Sequence, residues 1–206
     1  MVKIGLCGVM ASGKTTLANK VVENHQGFGK FSLADAVKRF ANFVYDIPEG
    51  YKDRVAYQKI GDGARQQLYE DIWLDTVLNE IKIHEGINNL ENGNEGFITH
   101  YIIDDIRYQN EVIKLKSKGW KIIKIEIEDE LQNERLKETY PDNWETHIAS
   151  KNHASESEVN IIPYELFDYI IKASNDDEPY AQVEGHIQQI FDEQKNNHHV
   201  VKDLCF

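Results

Sequence analysis

The chain has 206 residues, 41% of them hydrophobic, and a formal net charge of −12 at pH 7. That length suits one α/β domain with an insertion or two around a sizeable core. No apolar run approaches membrane-spanning length, and the acidic balance speaks against polymeric nucleic acid as a partner, because its phosphates would be repelled. Cysteine occurs only at Cys7 and Cys205, a usage that fits a reducing, cytoplasmic setting rather than a disulfide framework.

At the N-terminus "VKIGLC" is apolar and β-branched enough to form a buried strand, with Cys7 packing beside the adjoining loop. Glycines interrupt the apolar stretch, which is not the pattern of a signal peptide. Next comes "GVMASGKTT", and then "KTTLANKVVENH", which spaces Leu17, Ala18, Val21 and Val22 on one helical face. Strand, glycine-bounded loop and helix together make a phosphate cradle. Gly8, Ala11, Ser12, Gly13, Lys14, Thr15 and Thr16 would wrap backbone N–H groups around an anion, and the new helix N-terminus adds partial positive charge. Lys14 would reach the β- and γ-phosphates of a nucleoside triphosphate, and the Thr15 hydroxyl would ligate Mg²⁺.

A short strand is expected at Phe28 to Phe31. Ser32 or Asp35 would cap the following helix, whose apolar stripe is Val37, Phe40, Ala41 and Val44, and Pro48 and Gly50 would end it. The stretch from Tyr51 to His84 is helical, with a break expected near Gly61 and Gly63. "EGINNLENGNEG" looks like an exposed loop. "FITHYIID" is a second core strand, succeeded by a helix in "YQNEVIKLKSKG" and a strong strand in "WKIIKIEI". Asp129 to Ile162 is polar and does not look like core. "FDYIIKA" supplies a last strand and "PYAQVEGHIQQIFDEQ" a C-terminal helix, with a loosely ordered tail beyond it. His198 and His199 in that tail are adjacent, yet too isolated to count as a metal site. The alternation implies a mainly parallel sheet with helices on both faces. Two insertions, at 34–85 and 129–162, would project from the carboxyl edge of that sheet, where ligands of such sheets bind.

"YIIDDIR" places two carboxylates and an arginine at that edge. Asp104 or Asp105 would orient Mg²⁺ through water, and alternation along a strand would aim only one of them at the metal. Arg107 would offer a planar fork of donors to a phosphate. Lys38, Arg54 and Arg65 are equally readable as solvated charges on amphipathic helices, and Arg135 as a lid arginine or as a partner for nearby glutamates.

Taken in order, "GVMASGKTT", "FSLADAVK", "RVAYQKIGDGARQQ" with "IW" after it, "IIDDIRYQNE" and "HASES" resemble the bacteriophage deoxynucleoside monophosphate kinases. The resemblance spans Gly8 to about Ser157. It implies an α/β, three-layer P-loop NTPase fold with a helical acceptor-binding insertion at 34–85 and a lid-like insertion at 129–162. It also implies ATP and a (deoxy)nucleoside monophosphate as the small-molecule partners, with Mg²⁺ as cofactor. The family's Asp-x-Arg falls on Asp105 and Arg107, which favours Asp105 for the metal. Its insertion residues fall on Gln58 and Arg65, for base or sugar and for acceptor phosphate, and its lid motif on His153, Ser155 and Glu156. Thr15 departs from the aspartate that many members carry there, and the chain is short before "FITHYIID".

The resulting expectation is a single kinase domain over residues 1–206. Lys14, Arg107 and Arg135 would act on the transferring phosphate, and Thr15 and Asp105 on Mg²⁺. Lys38, Gln58, Arg65, Arg107 and His153 would bind the acceptor. A small-metabolite kinase of dephospho-coenzyme A or phosphomevalonate type is the nearest rival, and a nucleotide-dependent switch a more distant one. Whether the chain forms a homodimer is left open.

Overall fold

A computed structural model describes residues 1–45, 54–90, 98–149, 151 and 154–203. The phosphate-loop strand, β1 (Lys3–Gly8), is buried almost throughout, which is why its sequence is a near-continuous apolar run. It leads through the loop into α1 (Lys14–Asn24), which buries Leu17, Ala18 and Val21 as the spacing predicts. The short strand β2 (Phe28–Phe31) precedes α2 (Leu33–Tyr45), α3 (Arg54–Gln67) and α4 (Ile72–Leu90). Then come β3 (His100–Ile106), α5 (Gln109–Ser117) and β4 (Lys121–Glu126). The second insertion forms α6 (Asp129–Thr139), α7 (Trp144–Ala149) and α8 (Ala154–Ile161), and the chain closes with β5 (Tyr169–Lys172) and α9 (Glu178–Asp203).

The described strands form one five-stranded sheet in the order β2-β3-β1-β4-β5, with every pairing parallel. The α/β, three-layer expectation therefore holds. One face carries α1 and α9 on Ile4, Leu6, Ile102 and Ile123. The other carries α2, α4, α5 and α8 on Tyr101, Ile103 and Ile122. No helix among the described residues is long and apolar enough to cross a membrane.

Local expectations fail at four places, three of them for a tertiary reason. Helix α3 runs unbroken through Gly61 and Gly63 to Gln67. Gly61 is there for packing: its carbonyl accepts the Trp73 indole N–H at 3.0 Å, and Val37 stands 3.7 Å from where a Cβ would be. At the start of α2 neither Ser32 nor Asp35 is the cap. The Asp105 carboxylate, reaching across from β3, accepts the Leu33 and Ala34 N–H groups at 2.8 and 2.7 Å and the Ser32 hydroxyl at 2.8 Å. The 129–162 segment is not wholly polar surface, since Leu136, Val159 and Ile162 are buried in it. Finally, α9 continues to Asp203, through residues expected to be loose; no glycine or proline interrupts Gln189 to Asp203, so nothing stops helix propagation there.

Trp73 is the keystone of the first insertion, buried against α2 and α3 with its N–H satisfied and Phe40 packed edge-on. Replacing it with alanine removes the ring and its hydrogen bond to the Gly61 carbonyl. Trp73→Ala is expected to cost about 3–5 kcal/mol, measured by urea unfolding monitored by circular dichroism. A loss below about 1 kcal/mol would mean that these helices do not pack as one unit with the sheet.

Candidate active site

The phosphate loop owes its shape to two backbone constraints. Gly8 lies so close to β4 that a Cβ there would meet the Ile125 carbonyl and the Ser12 hydroxyl, both at 2.8 Å. Gly13 at φ 99° turns the chain into α1, and Ala11 at φ 61° is the only described non-glycine residue with positive φ. Left-handed residues in such a turn point successive N–H groups inward, the geometry of an anion nest.

Lys14 lies inside this loop. Its ammonium donates to the Gly8 carbonyl at 2.7 Å, the Val9 carbonyl at 2.6 Å and the Ser12 hydroxyl at 3.3 Å. Burial, with the Arg107 charge adding to it, pulls its pKa from 10.5 down to about 8. Cys7, beneath the loop, is buried and its thiol is pushed up to about 12, chiefly by desolvation. It is inert packing, as expected.

Strand alternation sends the two aspartates to opposite faces. Ile102 belongs to the α1 face and Ile103 to the α2 face, so Asp104 points toward α1 and Asp105 toward α2. Asp105, the carboxylate expected at the metal, has both its oxygens engaged by the N-terminus of α2. Asp104 lies beside the Thr15 hydroxyl, and burial, together with the neighbouring Asp105, raises its pKa. It is 3% exposed, and its Oδ1 has no hydrogen-bond partner among the described residues. An orphaned carboxylate oxygen beside a threonine hydroxyl at the phosphate loop is a hard-oxygen donor set that fits Mg²⁺. No cluster of three or more His, Cys, Asp or Glu suited to a metal occurs among the described residues, so this is a pair of donors that leaves most positions to water and phosphate.

On the β2–β3 side of β1 stand two arginines held by buried carboxylates. Arg107 donates to Glu156 on α8 through Nη1, and its own backbone N–H goes to Glu111 at 2.9 Å. Glu111 also accepts Arg65 Nη2 at 2.9 Å. The Arg65 guanidinium lies 4.6 Å above the Tyr108 ring, and its Nη1 is buried without a hydrogen-bond partner among the described residues. Gln58 is half-buried seven residues before Arg65, hence on the same face of α3. Lys38 stands apart, exposed on α2 with its ammonium 2.7 Å from Asp35. His153 lies outside the described residues.

On the β4–β5 side Arg135, from α6, reaches over the loop. Its Nη1 donates to the Ala11 carbonyl at 3.1 Å and its Nη2 to the Ser174 carbonyl. There a cavity of about 290 Å³ opens between Gly13, Thr16, Lys20, Arg135, Asn175 and Tyr180. Sequence reasoning overlooked this wall after β5, because "ASNDDE" carries no signal beyond that of a polar turn. It also gave no role to Glu111 or Gln132, whose amide donates to the Met10 carbonyl at 2.7 Å.

Among solved structures, 128 chains match this fold. One is TT1252 from Thermus thermophilus, at 15% identity over 91% of this chain and 96% of that one, with a TM-score of 0.51. Another is shikimate kinase from Acinetobacter baumannii in complex with shikimate, at 16% identity over 94% of each chain, with a TM-score of 0.50. What the chain shares with these two structures is the fold, over nearly the whole of each chain. No family model matches the chain, and no curated protein does. At these identities the likeness concerns the fold and leaves the reaction to be argued from the site.

The buried lysine and the two aspartates each lead to a measurable outcome. Lys14 binds fewer protons in the folded chain than in the unfolded one between about pH 8 and 10.5. Its burial penalty is therefore full below pH 8 and fades as the pH rises through that window. A bound polyphosphate restores the charge, so binding should take up a proton, and affinity should fall toward tenfold per pH unit above about 8. Calorimetry in buffers of different ionisation heat checks this; no proton uptake at pH 9 would overturn it. The aspartates should diverge in stability. A carboxylate with a raised pKa costs stability above that pKa and less as it protonates, so Asp104→Asn should not destabilise the ligand-free protein at pH 7, with any gain shrinking in acid. Asp105→Ala removes a helix cap and should cost about 1–2 kcal/mol. Thermal melts of the two variants decide.

Proposed function

We propose that this protein transfers the γ-phosphoryl group of ATP to the phosphate of a (deoxy)nucleoside monophosphate, with Mg²⁺ as cofactor. The observation that carries this reading is the division of the site about β1. The cavity under Arg135 lies on the β4–β5 side of the loop, and the paired arginines Arg65 and Arg107 lie on the β3 side. A loop that takes a polyphosphate thus stands between room for a nucleoside and a cationic seat for a second anion. The resemblance in Gln58, Arg65, Arg107 and Glu156 adds to this. It is what specifies a nucleoside monophosphate rather than anions in general.

In this reading the loop N–H groups and Lys14 hold the donor phosphates, and Lys14 keeps its charge on the transferring group as negative charge migrates. Thr15 and Asp104 would hold Mg²⁺ and its waters, which would supply positive charge to the donor phosphates. Arg135 moves from the transferring group to the nucleoside end of the donor. Arg65 and Arg107 draw the acceptor phosphate against the donor, where its anionic oxygen needs no strong base. Gln58 faces the acceptor's sugar or base from α3, and Lys38, exposed and paired with Asp35 on α2, is given no role in this reading. The helices of the 129–162 segment close over the loop through Arg135 and Glu156. The chain would work in a cytoplasmic setting, on small molecules rather than on polymeric nucleic acid.

A second reading comes from the solved relative that holds shikimate: two arginines would equally seat another small anionic metabolite. ATP consumption against a panel of ribo- and deoxyribonucleoside monophosphates, with shikimate and dephospho-coenzyme A included, separates the two. Arg65→Ala and Arg107→Ala should each raise the Michaelis constant for the preferred acceptor about ten- to a hundredfold, while ATP affinity by calorimetry stays near wild type. Loss of ATP binding in either variant would move that arginine to the donor site.

A further inference from the structure

Glu156 sits on the second insertion, 146 residues from the loop residue Met10 that it holds, yet it is 3% exposed and uses both carboxylate oxygens. Oε2 accepts the Met10 N–H of the phosphate loop at 2.6 Å, and Oε1 accepts Arg107 Nη1. Its helix is anchored independently by Val159, which is buried in the core below. The carboxylate is thus delivered to the loop by packing that does not depend on its own bonds. It also lies between like charges: the Arg107 guanidinium repels the Lys14 ammonium, and the Glu156 carboxylate attracts it.

A buried carboxylate with an arginine on one oxygen and a loop N–H on the other has a definite mechanical effect. Arg107 is tied at its backbone to Glu111 and at its head to Glu156, so its long side chain is already ordered. Ordering a free arginine on binding costs rotamer entropy, and that cost is removed in advance when the head group is held. We infer that Glu156 is a positioning residue that holds the Arg107 guanidinium at the phosphate loop, ready for the acceptor anion, while the same carboxylate fixes the loop at Met10. The inference rests on the phosphoryl-transfer reading for its kinetic consequence, and on geometry alone for the pinning of Arg107.

Two measurements test it, and they separate its failure from that of the functional reading. The first needs no activity. In ¹⁵N-arginine-labelled wild-type protein the Arg107 guanidinium should show restricted rotation, with resolved Nη signals, and Glu156→Gln should release that restriction while leaving the circular dichroism spectrum unchanged. Arg107 equally immobile in both proteins, or mobile in both, overturns the inference whatever the enzyme phosphorylates. The second is a double-mutant cycle read with a deoxynucleoside monophosphate as the varied acceptor at saturating MgATP. Glu156→Gln should raise the acceptor Michaelis constant about tenfold, Glu156→Asp should recover part of that loss, and Glu156→Gln in an Arg107→Met background should add less than about twofold. A residue that only held α8 in place would add its full effect to that of Arg107→Met and would treat Asp and Gln alike; that result overturns the inference. Should Glu156→Gln fail to fold, both measurements are made with Glu156→Asp, which keeps the charge and withdraws it by one methylene, and additivity or an unchanged Arg107 signal there is again decisive. Wild-type protein that transfers phosphate to no monophosphate would overturn the functional reading while leaving the first measurement to judge Glu156.

Discussion

A lysine ammonium enclosed by its own loop is the constraint around which this molecule is arranged. Lys14 donates to Gly8, Val9 and Ser12, and desolvation weakens its hold on its proton. Such a cation is costly to bury unless anions compensate it. Within the chain Glu156 is the carboxylate that favours its charge most, with Asp105 contributing more weakly. Phosphate oxygens would complete it. The loop is therefore a site whose electrostatics are left unbalanced until a polyanion arrives, which is what an effective phosphate binder needs.

The parallel sheet turns this loop into a two-sided site. Because β1 is central, its C-terminal loop has β3 on one flank and β4 and β5 on the other. Each flank delivers different chemistry: carboxylates from β3, α5 and α8 with arginines from α3 and the turn after β3 on one side, a reaching arginine from α6 and the polar segment after β5 on the other. Parallel strands all present their carboxyl ends to the same edge, so the insertions after β2 and β4 can meet over the loop without crossing.

Buried and half-buried carboxylates organise the cationic side. Glu111 holds the Arg107 and Tyr108 N–H groups and Arg65. Glu156 holds Arg107 and the loop, and Asp105 holds the start of α2. None of the three is oriented by its sequence neighbours alone. Each links elements tens of residues apart, so a change at one of them would be felt at a distance through displaced arginines or a shifted helix rather than through lost charge.

Several features were legible from residue order because they are local. The strand–loop–helix spacing around Gly8 and Lys14 dictates a phosphate loop, since glycine backbone freedom and the lysine offset act within nine residues. The apolar run of β1 and the one-sided stripe of α1 reveal their elements in the same way. The alternation of strands and helices led to a parallel sheet. Contacts between distant segments were beyond reach. Asp104 and Asp105 are adjacent and chemically identical, and their fates were separated only by which sheet face meets α1 and which meets α2. Gly61 looked like a helix break until Trp73 and Val37 packed against it. Glu156 looked like one acid among many on a polar stretch, and the burial of Val159 beside it carried its carboxylate to the phosphate loop. Local backbone preference and side-chain periodicity are written in the sequence itself, whereas burial and partner choice arise only when the layers close on one another.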